Sequence, residues 1–286
     1  MSKKRPSRAR GPQWFRGKVA LVTGGASGLG RGTALALAAA GCDLVLVDLN
    51  ADRLREVAST IEGMGARCIT RQVDVSSRAQ MERMAEEVLA EWGRVDILVN
   101  NAGVGVGGEL VNIPLDTIEW ITGINLMGEI YGTRLFLPQM IARGEGHVVN
   151  VGSLSSLVIL PFHIAYATTK FGIGGFSEAL WSEVRRHGIG VTLVCPGAVS
   201  TNIAEGTRAY ASNERQQKVT ERFERLLEDK GMDAEEAGRL VVEAIARDKF
   251  LLLTGREAYI LYYLHRFFPG FMRRLVAFLT GFATGK

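Results

Sequence analysis

Cysteine is scarce in this 286-residue chain: Cys42, Cys68 and Cys195 are an odd number at wide spacings, with no Cys-x-x-Cys and no His pair nearby. That argues against a disulfide framework and against a zinc site, so no metal is expected, and it points to a reducing, cytoplasmic setting. No run of 18 purely apolar residues exists, hence no transmembrane helix is expected. The basic N-terminus has no apolar stretch behind it, which argues against a secretory signal. Proline is limited to 7 residues, and 47% hydrophobic with 22% charged residues fits a globular chain and neither a disordered nor a fibrous one. A chain this long buries enough surface to need no covalent staple.

Negative charge is missing from one place. The first 18 residues carry seven basic side chains (Lys3, Lys4, Arg5, Arg8, Arg10, Arg16, Lys18) and no acid, so the whole-chain charge of +4 leaves −3 for the remainder. Residues 1–17 read as a solvated, flexible arm. The body is mildly acidic, and no nucleic-acid partner is expected.

From Lys18 onward, short β-branched runs alternate with helical patterns. "KVALVT", "CDLVLVD", "ARCITRQVDV", "VDILVNN", "GHVVNVGS", "GVTLVCPG" and "FLLLTG" read as seven strands. Helical segments run from Gly28 to Ala40, Ala51 to Gly63, Arg78 to Trp92, Leu115 to Arg143, Ala165 to His187 and Asp233 to Ala246, the last opened by the capping-box spacing of Asp233 and Glu236. The alternation predicts an α/β fold: one doubly wound parallel β-sheet of about seven strands with helices on both faces. Residues 18–255 form one domain, with no internal repeat or linker. The polar stretch after "PG", about 200–230, reads as a lid, and 256–286 as an extension.

Three features carry chemistry. The first strand ends in "TGGASGLGRG", where Gly24, Gly28 and Gly30 let the backbone approach a pyrophosphate at a helix N-terminus, the expected dinucleotide site of such a sheet. A Gly-rich turn can also be only a tight turn. The second strand ends at Asp48, a carboxylate that accepts from adenosine ribose hydroxyls and repels a 2′-phosphate, favouring NAD over NADP; it could instead cap the next helix, and Arg31 and Arg53 weaken the repulsion. Tyr166 lies four residues before Lys170 on one helix face, where an ammonium favours the phenolate of an acid–base tyrosine. Ser153, at the end of the fifth strand run, brings a hydroxyl to the same edge, with Ser155 and Ser156 as competitors and a turn cap as its alternative role.

"TGGASGLG", Asp74-Val75, "NNAG", Asn125 in "INLMG", Ser153, "YATTK" and "PGAVST" together make the chain resemble the short-chain dehydrogenase/reductase family in its single-domain, Rossmann-like form, over about Lys18 to Gly255. Gly152 stands where the family often has a second Ser. The resemblance implies that Tyr166 exchanges a proton with the substrate oxygen, that Lys170 favours its phenolate and binds the nicotinamide ribose, that Ser153 donates to the same oxygen, and that Asn125 holds a relay water. It also implies cofactor contacts from Thr23, Gly24, Ser27, Gly28, Leu29, Gly30, Asp48, Asp74, Val75, Asn101, Ala102, Gly103, Pro196, Gly197, Val199 and Thr201.

The segment after Ser153 is apolar, with Leu154, Leu157, Val158, Ile159, Leu160 and Phe162, and no Arg or Lys cluster waits there for an anionic substrate. A hydrophobic alcohol or ketone is expected, although some of these side chains could pack the core. The C-terminal extension is aromatic and basic, divided by Pro269, and reads either as a segment in an anionic membrane interface or as a tail on a partner subunit or its own domain, in a homodimer or homotetramer. Two classes of function follow: an NAD-dependent oxidoreductase, with an NADPH-dependent ketoacyl-lipid reductase as its variant, and an idle cofactor-sensing or scaffold protein.

Overall fold

The computed structural model describes residues 10–197, 206–211 and 231–284. In chain order the elements are β1 Val19–Thr23, α1 Gly28–Ala39, β2 Asp43–Asp48, α2 Ala51–Gly63, β3 Cys68–Gln72, α3 Arg78–Trp92, β4 Ile97–Asn100, β5 Val106–Gly108, α4 Leu115–Thr122, α5 Gly128–Arg143, β6 Gly146–Val151, α6 Ile164–Val184, β7 Ile189–Pro196, β8 Arg208–Tyr210, α7 Ala234–Ala246, β9 Leu251–Thr254, α8 Arg256–Phe267 and α9 Pro269–Thr284. Seven strands form one parallel sheet in the order β3-β2-β1-β4-β6-β7-β9. They are the seven expected from the sequence.

Successive side chains of a strand point to opposite faces, and both faces are covered. Ala20, Val22, Leu44, Leu46, Ile97 and Val99 pack under α1, α2 and α7 with Leu37, Ile61 and Val241. Leu21, Val45, Leu98, Val148 and Val191 pack with Met81, Phe136 and Leu180 of α3, α5 and α6. A sheet buried on both sides explains why its inner strands are continuous apolar runs, while the edge strand β3 is only partly buried and carries Thr70, Arg71 and Gln72. Chain order reverses between β1 and β4, so the crevice for a ligand opens at their carboxyl ends.

Two features lie outside the expected pattern. The helical stretch from Leu115 to Arg143 is interrupted by a π turn, Gly123–Met127, and β5 pairs in parallel with β8 in a separate two-stranded sheet. Asp233 caps α7 as expected, accepting from the backbone N–H groups of Glu235 and Glu236.

Most of the basic arm lies outside the described residues, but positions 10–17 are docked on the body. Phe15 is buried, Lys18 pairs with Glu145 at 2.7 Å, and Arg10 donates to Gly146 O at 2.9 Å while its guanidinium lies over Trp14. At the other end, Pro269 opens α9 and separates it from α8. Ala258, Leu261, Leu264 and Met272 pack against Leu193, Cys195 and Leu253 of the sheet edge, so the extension has a face on its own domain.

Candidate active site

The glycine turn is closed by the side chains of Thr23, at the end of β1, and Asn101, just after β4. Gly24 has φ +64°, and a Cβ there would lie 2.7 Å from Asn101 Nδ2; one at Gly30 would collide with the carbonyl of Gly24. The hydroxyl of Thr23 accepts from the backbone N–H of Asn101 at 2.9 Å and of Ala102 at 3.1 Å, and Asn101 Nδ2 donates to the carbonyls of Thr23 and Gly24. The amide of Asn101 is thus spent on the turn. Gly28 and Leu29 begin α1, and Ser27 makes no side-chain capping bond, so the helix presents its first N–H groups toward an anion without a competing cap. The turn has the small-residue cradle and helix terminus that a pyrophosphate needs.

Asp48, at the end of β2, accepts from Ala26 N at 3.2 Å and Asn50 N at 3.0 Å. The cap of α2 is Asn50, not Asp48. Ala26 also lines a cavity of about 520 Å³ with Ser27, Gly28, Arg31 and Arg53; Arg31 pairs with Glu235 at 3.0 Å. Asp74 follows β3 and accepts from Ser76 N and Oγ. Val75 is buried and backs Gly128, where a Cβ would lie 3.0 Å from it.

Asn125 is fully buried in the π turn. Its Oδ1 accepts from Val104 N at 2.8 Å, and its Nδ2 donates to Val104 O at 2.9 Å and to Thr169 Oγ1 at 3.3 Å. Both donors are therefore used, and one lone pair of Oδ1 remains. A Cβ at Gly103 would lie 3.3 Å from that Oδ1 and 3.6 Å from Lys170 Nζ, so the two atoms border one small space.

Ser153 ends the loop after β6 and caps a short 3₁₀ turn: its Oγ accepts from Ser155 N at 3.1 Å, while Ser156 Oγ accepts from Ser153 N. Ser155 and Ser156 are buried, whereas Ser153 is partly exposed. A hydroxyl that accepts a backbone bond still has its own proton to donate. Tyr166 and Lys170 lie one turn apart on α6. Lys170 is buried, with Nζ donating to Val151 O at 2.6 Å and standing 3.5 Å from Glu129 Oε1. The ring of Tyr166 is partly exposed and meets His163 edge-on at 6.2 Å.

The wall residues divide. Leu154 and Val158 belong to the core beneath the sheet edge, while Ile159 is 44% exposed and Leu160 and Phe162 are half-buried. β5 and β8 join the segment after "NNAG" to the start of the lid, with Thr117 Oγ1 and Tyr210 Oη 2.7 Å apart and Arg208 over Trp120. Pro196 ends β7, and Gly197 N donates to Thr254 O. Val199, Thr201 and most of the lid lie outside the described residues.

The sequence profile of the short chain dehydrogenases matches residues 18–211. The chain belongs to that family. The Mycobacterium tuberculosis protein SadH is 36% identical over 265 residues, 92% of this chain and 95% of its own. Estradiol 17-beta-dehydrogenase 11 of Macaca fascicularis is 33% identical over 249 residues, 84% and 83% of the two chains. A short-chain dehydrogenase/reductase of Burkholderia phymatum, solved in complex with NAD, is 33% identical with a TM-score of 0.82, covering 88% of this chain and 94% of that one. This dehydrogenase/reductase is accordingly an NAD(P)-dependent oxidoreductase with a Rossmann fold, and related structures hold NAD or NADP.

Sequence reasoning missed three residues that touch the candidate site. Thr169 links Asn125 to the Tyr166 carbonyl, to which it donates at 2.8 Å. His163 touches the tyrosine ring, and burial lowers its imidazole below the usual range. Glu129 is a buried acid beside Lys170. The spacing of Asn125 and Glu129, four apart in a helical run, put them on one face and was the available signal.

Proposed function

We propose that this enzyme interconverts an apolar secondary alcohol and its ketone, with NAD preferred and Tyr166 exchanging the proton at the substrate oxygen. The observation that carries the reading is the anchoring of Lys170. Its ammonium is held from below by Val151 O, one turn along α6 from a partly exposed tyrosine, an arrangement in which a nearby cation favours the phenolate. Ser153, with a proton left to donate, stabilises charge on the same oxygen. The remaining lone pair of Asn125 Oδ1, bordering the Gly103 space with Lys170 Nζ, accepts from a relay water. A bound nicotinamide dinucleotide would supply hydride transfer; the glycine turn and the α1 terminus would hold its pyrophosphate and Asp48 its adenosine ribose.

Asp48 supports NAD, because a carboxylate at the ribose end opposes a 2′-phosphate; Arg31 of the cavity lined by Ala26 already has an acidic partner in Glu235. The half-exposed Ile159, Leu160 and Phe162 support an apolar substrate, as does likeness to a relative named for estradiol. A panel of alcohols with NAD+ and NADP+, followed by absorbance of the reduced cofactor, tests the reading. Turnover of apolar secondary alcohols with NAD+, lost in Tyr166→Phe, is expected. Preference for NADP+ with ketoacyl lipids, or binding without any turnover, overturns it.

We further propose that α8 and α9 lie against an anionic lipid surface. Tyr263, Phe267, Phe268, Phe271, Phe278 and Leu279 are exposed, and Arg266, Arg273 and Arg274 among them are exposed as well. Aromatics interleaved with cations suit a charged interface. Arg10 and Lys18 do not share this role: they are engaged beside the first residue of β6, at the sheet edge opposite the one from which α8 departs. Among the described residues no helix is long and apolar enough to cross a membrane.

A further inference from the structure

Glu129 lies in the first turn of α5, directly after the π turn and four residues beyond Asn125, and is 2% exposed. A carboxyl group removed from water needs hydrogen bonds or a counter-charge. Here neither oxygen has a hydrogen-bond partner, and the counter-charge is Lys170 Nζ, 3.5 Å from Oε1 and itself buried. The same ammonium is fixed by Val151 O. The polar group that β4 brings against α5 is the uncharged Asn100, which donates to Thr133 Oγ1 of α5 and to Asn150 Oδ1 of β6. From β7 comes the Cys195 thiol, which burial pushes up to about 12, so it stays neutral. Lys170 is the charge that acts on Glu129.

We propose that Glu129 is a positioning residue of the reaction, acting through Lys170: as an anion it holds the ammonium and offsets its field at Tyr166, and as a neutral acid it leaves that field whole. This rests on the role proposed for Tyr166. Burial raises the Glu129 carboxyl to about 8 in spite of Lys170, so the neutral acid persists well above the usual carboxylate range. The sign follows from Coulomb's law. A negative charge beside Lys170 makes the phenolate of Tyr166 harder to form, and removing it makes the phenolate easier to form.

The test is the pH dependence of kcat/KM for alcohol oxidation in wild type, Glu129→Gln and Glu129→Asp, from about pH 6 to 10. Glu129→Gln keeps the shape and removes the charge; the acidic limb, on which activity rises as the general base loses its proton, is expected to move to lower pH by about 0.5–1 unit, the scale of one nearby charge, with Glu129→Asp returning toward wild type. Infrared difference spectra of the wild type between low and high pH should show a protonated carboxylic acid lost across neutrality, and this readout needs no variant to fold. Superimposable pH profiles for wild type and Glu129→Gln, or a carboxylate already ionised at pH 6, overturn the proposal. Turnover that survives in Tyr166→Phe overturns the catalytic reading and this inference with it, whereas Tyr166-dependent turnover with unchanged profiles overturns the Glu129 role alone.

Discussion

Asn125 and Val104 are bound to each other twice, the carboxamide of one pairing with both the N–H and the C=O of the other at 2.8 and 2.9 Å. A side chain here takes the place of a neighbouring strand, and the π turn that carries it points the amide at the backbone just before β5. Such one-turn widenings of a helix are frequent at functional sites. Asn125 is then a brace for the pocket wall as well as a candidate for the relay.

Removing the brace should cost stability. Asn125→Ala leaves the Val104 N–H and C=O without partners, and unsatisfied groups in partly buried sites cost about 1–3 kcal/mol. A loss of about 2 kcal/mol in urea unfolding is expected, with a fall in kcat. A variant as stable as wild type would mean that water replaces the amide and that no brace exists.

Tyr166 and Lys170 should fail differently. Tyr166→Phe keeps the ring and removes the proton carrier, so turnover is lost while cofactor affinity stays near wild type. Lys170→Ala also leaves Val151 O and Glu129 without their shared partner, and should weaken cofactor binding, turnover and stability together. Equal cofactor affinity in both variants, measured by fluorescence titration, would remove Lys170 from the cofactor site.

The inner sheet strands were legible in the sequence because burial on both faces leaves little choice but apolar β-branched runs, the partly buried edge strand β3 by its place in the alternation of strands and helices, and the glycine turn because its φ and close contacts admit no side chain. The π turn was not legible: an inserted residue leaves the helical pattern of Leu115 to Arg143 almost unbroken. The β5–β8 pair was hidden because strands of three residues, Val-Gly-Gly and Arg-Ala-Tyr, are too short to show alternation. Glu129 was hidden by its type, since an acid in a helix is usually solvated. The close crossing of α1 and α7 depends on Gly32 and Gly238, where an added Cβ would strike the facing backbone, and nothing in the spacing of two distant glycines announces that they meet.

Asp48 should set cofactor choice at a cost to the turn. Asp48→Ala removes repulsion toward a 2′-phosphate, and NADPH should gain on NADH by about tenfold, the equivalent of about 1.4 kcal/mol. The variant also loses the acceptor for Ala26 N and Asn50 N, so affinity for both cofactors should drop. An unchanged ratio of dissociation constants would place the choice elsewhere.

Stability should fall in mild acid because of His147. Arg10 can only donate, so Nδ1 at 2.6 Å accepts; Nε2 then carries the proton and donates to Thr192 Oγ1 at 2.8 Å, which donates to Lys249 O. Burial first, then Arg10 and Arg185, push this imidazole well below its usual 6.5. The unfolded chain therefore binds the proton that the folded chain refuses, and stability, complete above about 6.5, declines as pH drops below it. Melting temperatures from pH 7.5 to 5 should show the decline, blunted in His147→Gln. Because Glu129, raised to about 8, contributes with the opposite sign over part of this range, the deciding quantity is the difference between the two profiles, and parallel profiles for wild type and His147→Gln would contradict the burial of a neutral imidazole.

The lipid-facing reading makes its own demand on the design of the test. Cutting the chain at Gly255 would uncover Leu193, Cys195 and Leu253, on which Ala258, Leu261 and Met272 pack, so loss of binding could reflect damage to the core. Phe267→Ser, Phe271→Ser and Phe278→Ser together change only exposed side chains, at 68%, 58% and 69%, and leave the inner face intact. Each basic residue at an anionic surface contributes about 1 kcal/mol, screened within a Debye length of roughly 8 Å at physiological salt. Wild type should therefore float with anionic vesicles, less so as salt rises, while the triple variant stays in the unbound fraction with its melting temperature unchanged. Equal absence of both from the floating fraction would refute the lipid surface. If wild type also ran as a larger species than the triple variant on size exclusion, that apolar face would belong to contact between two copies of the chain.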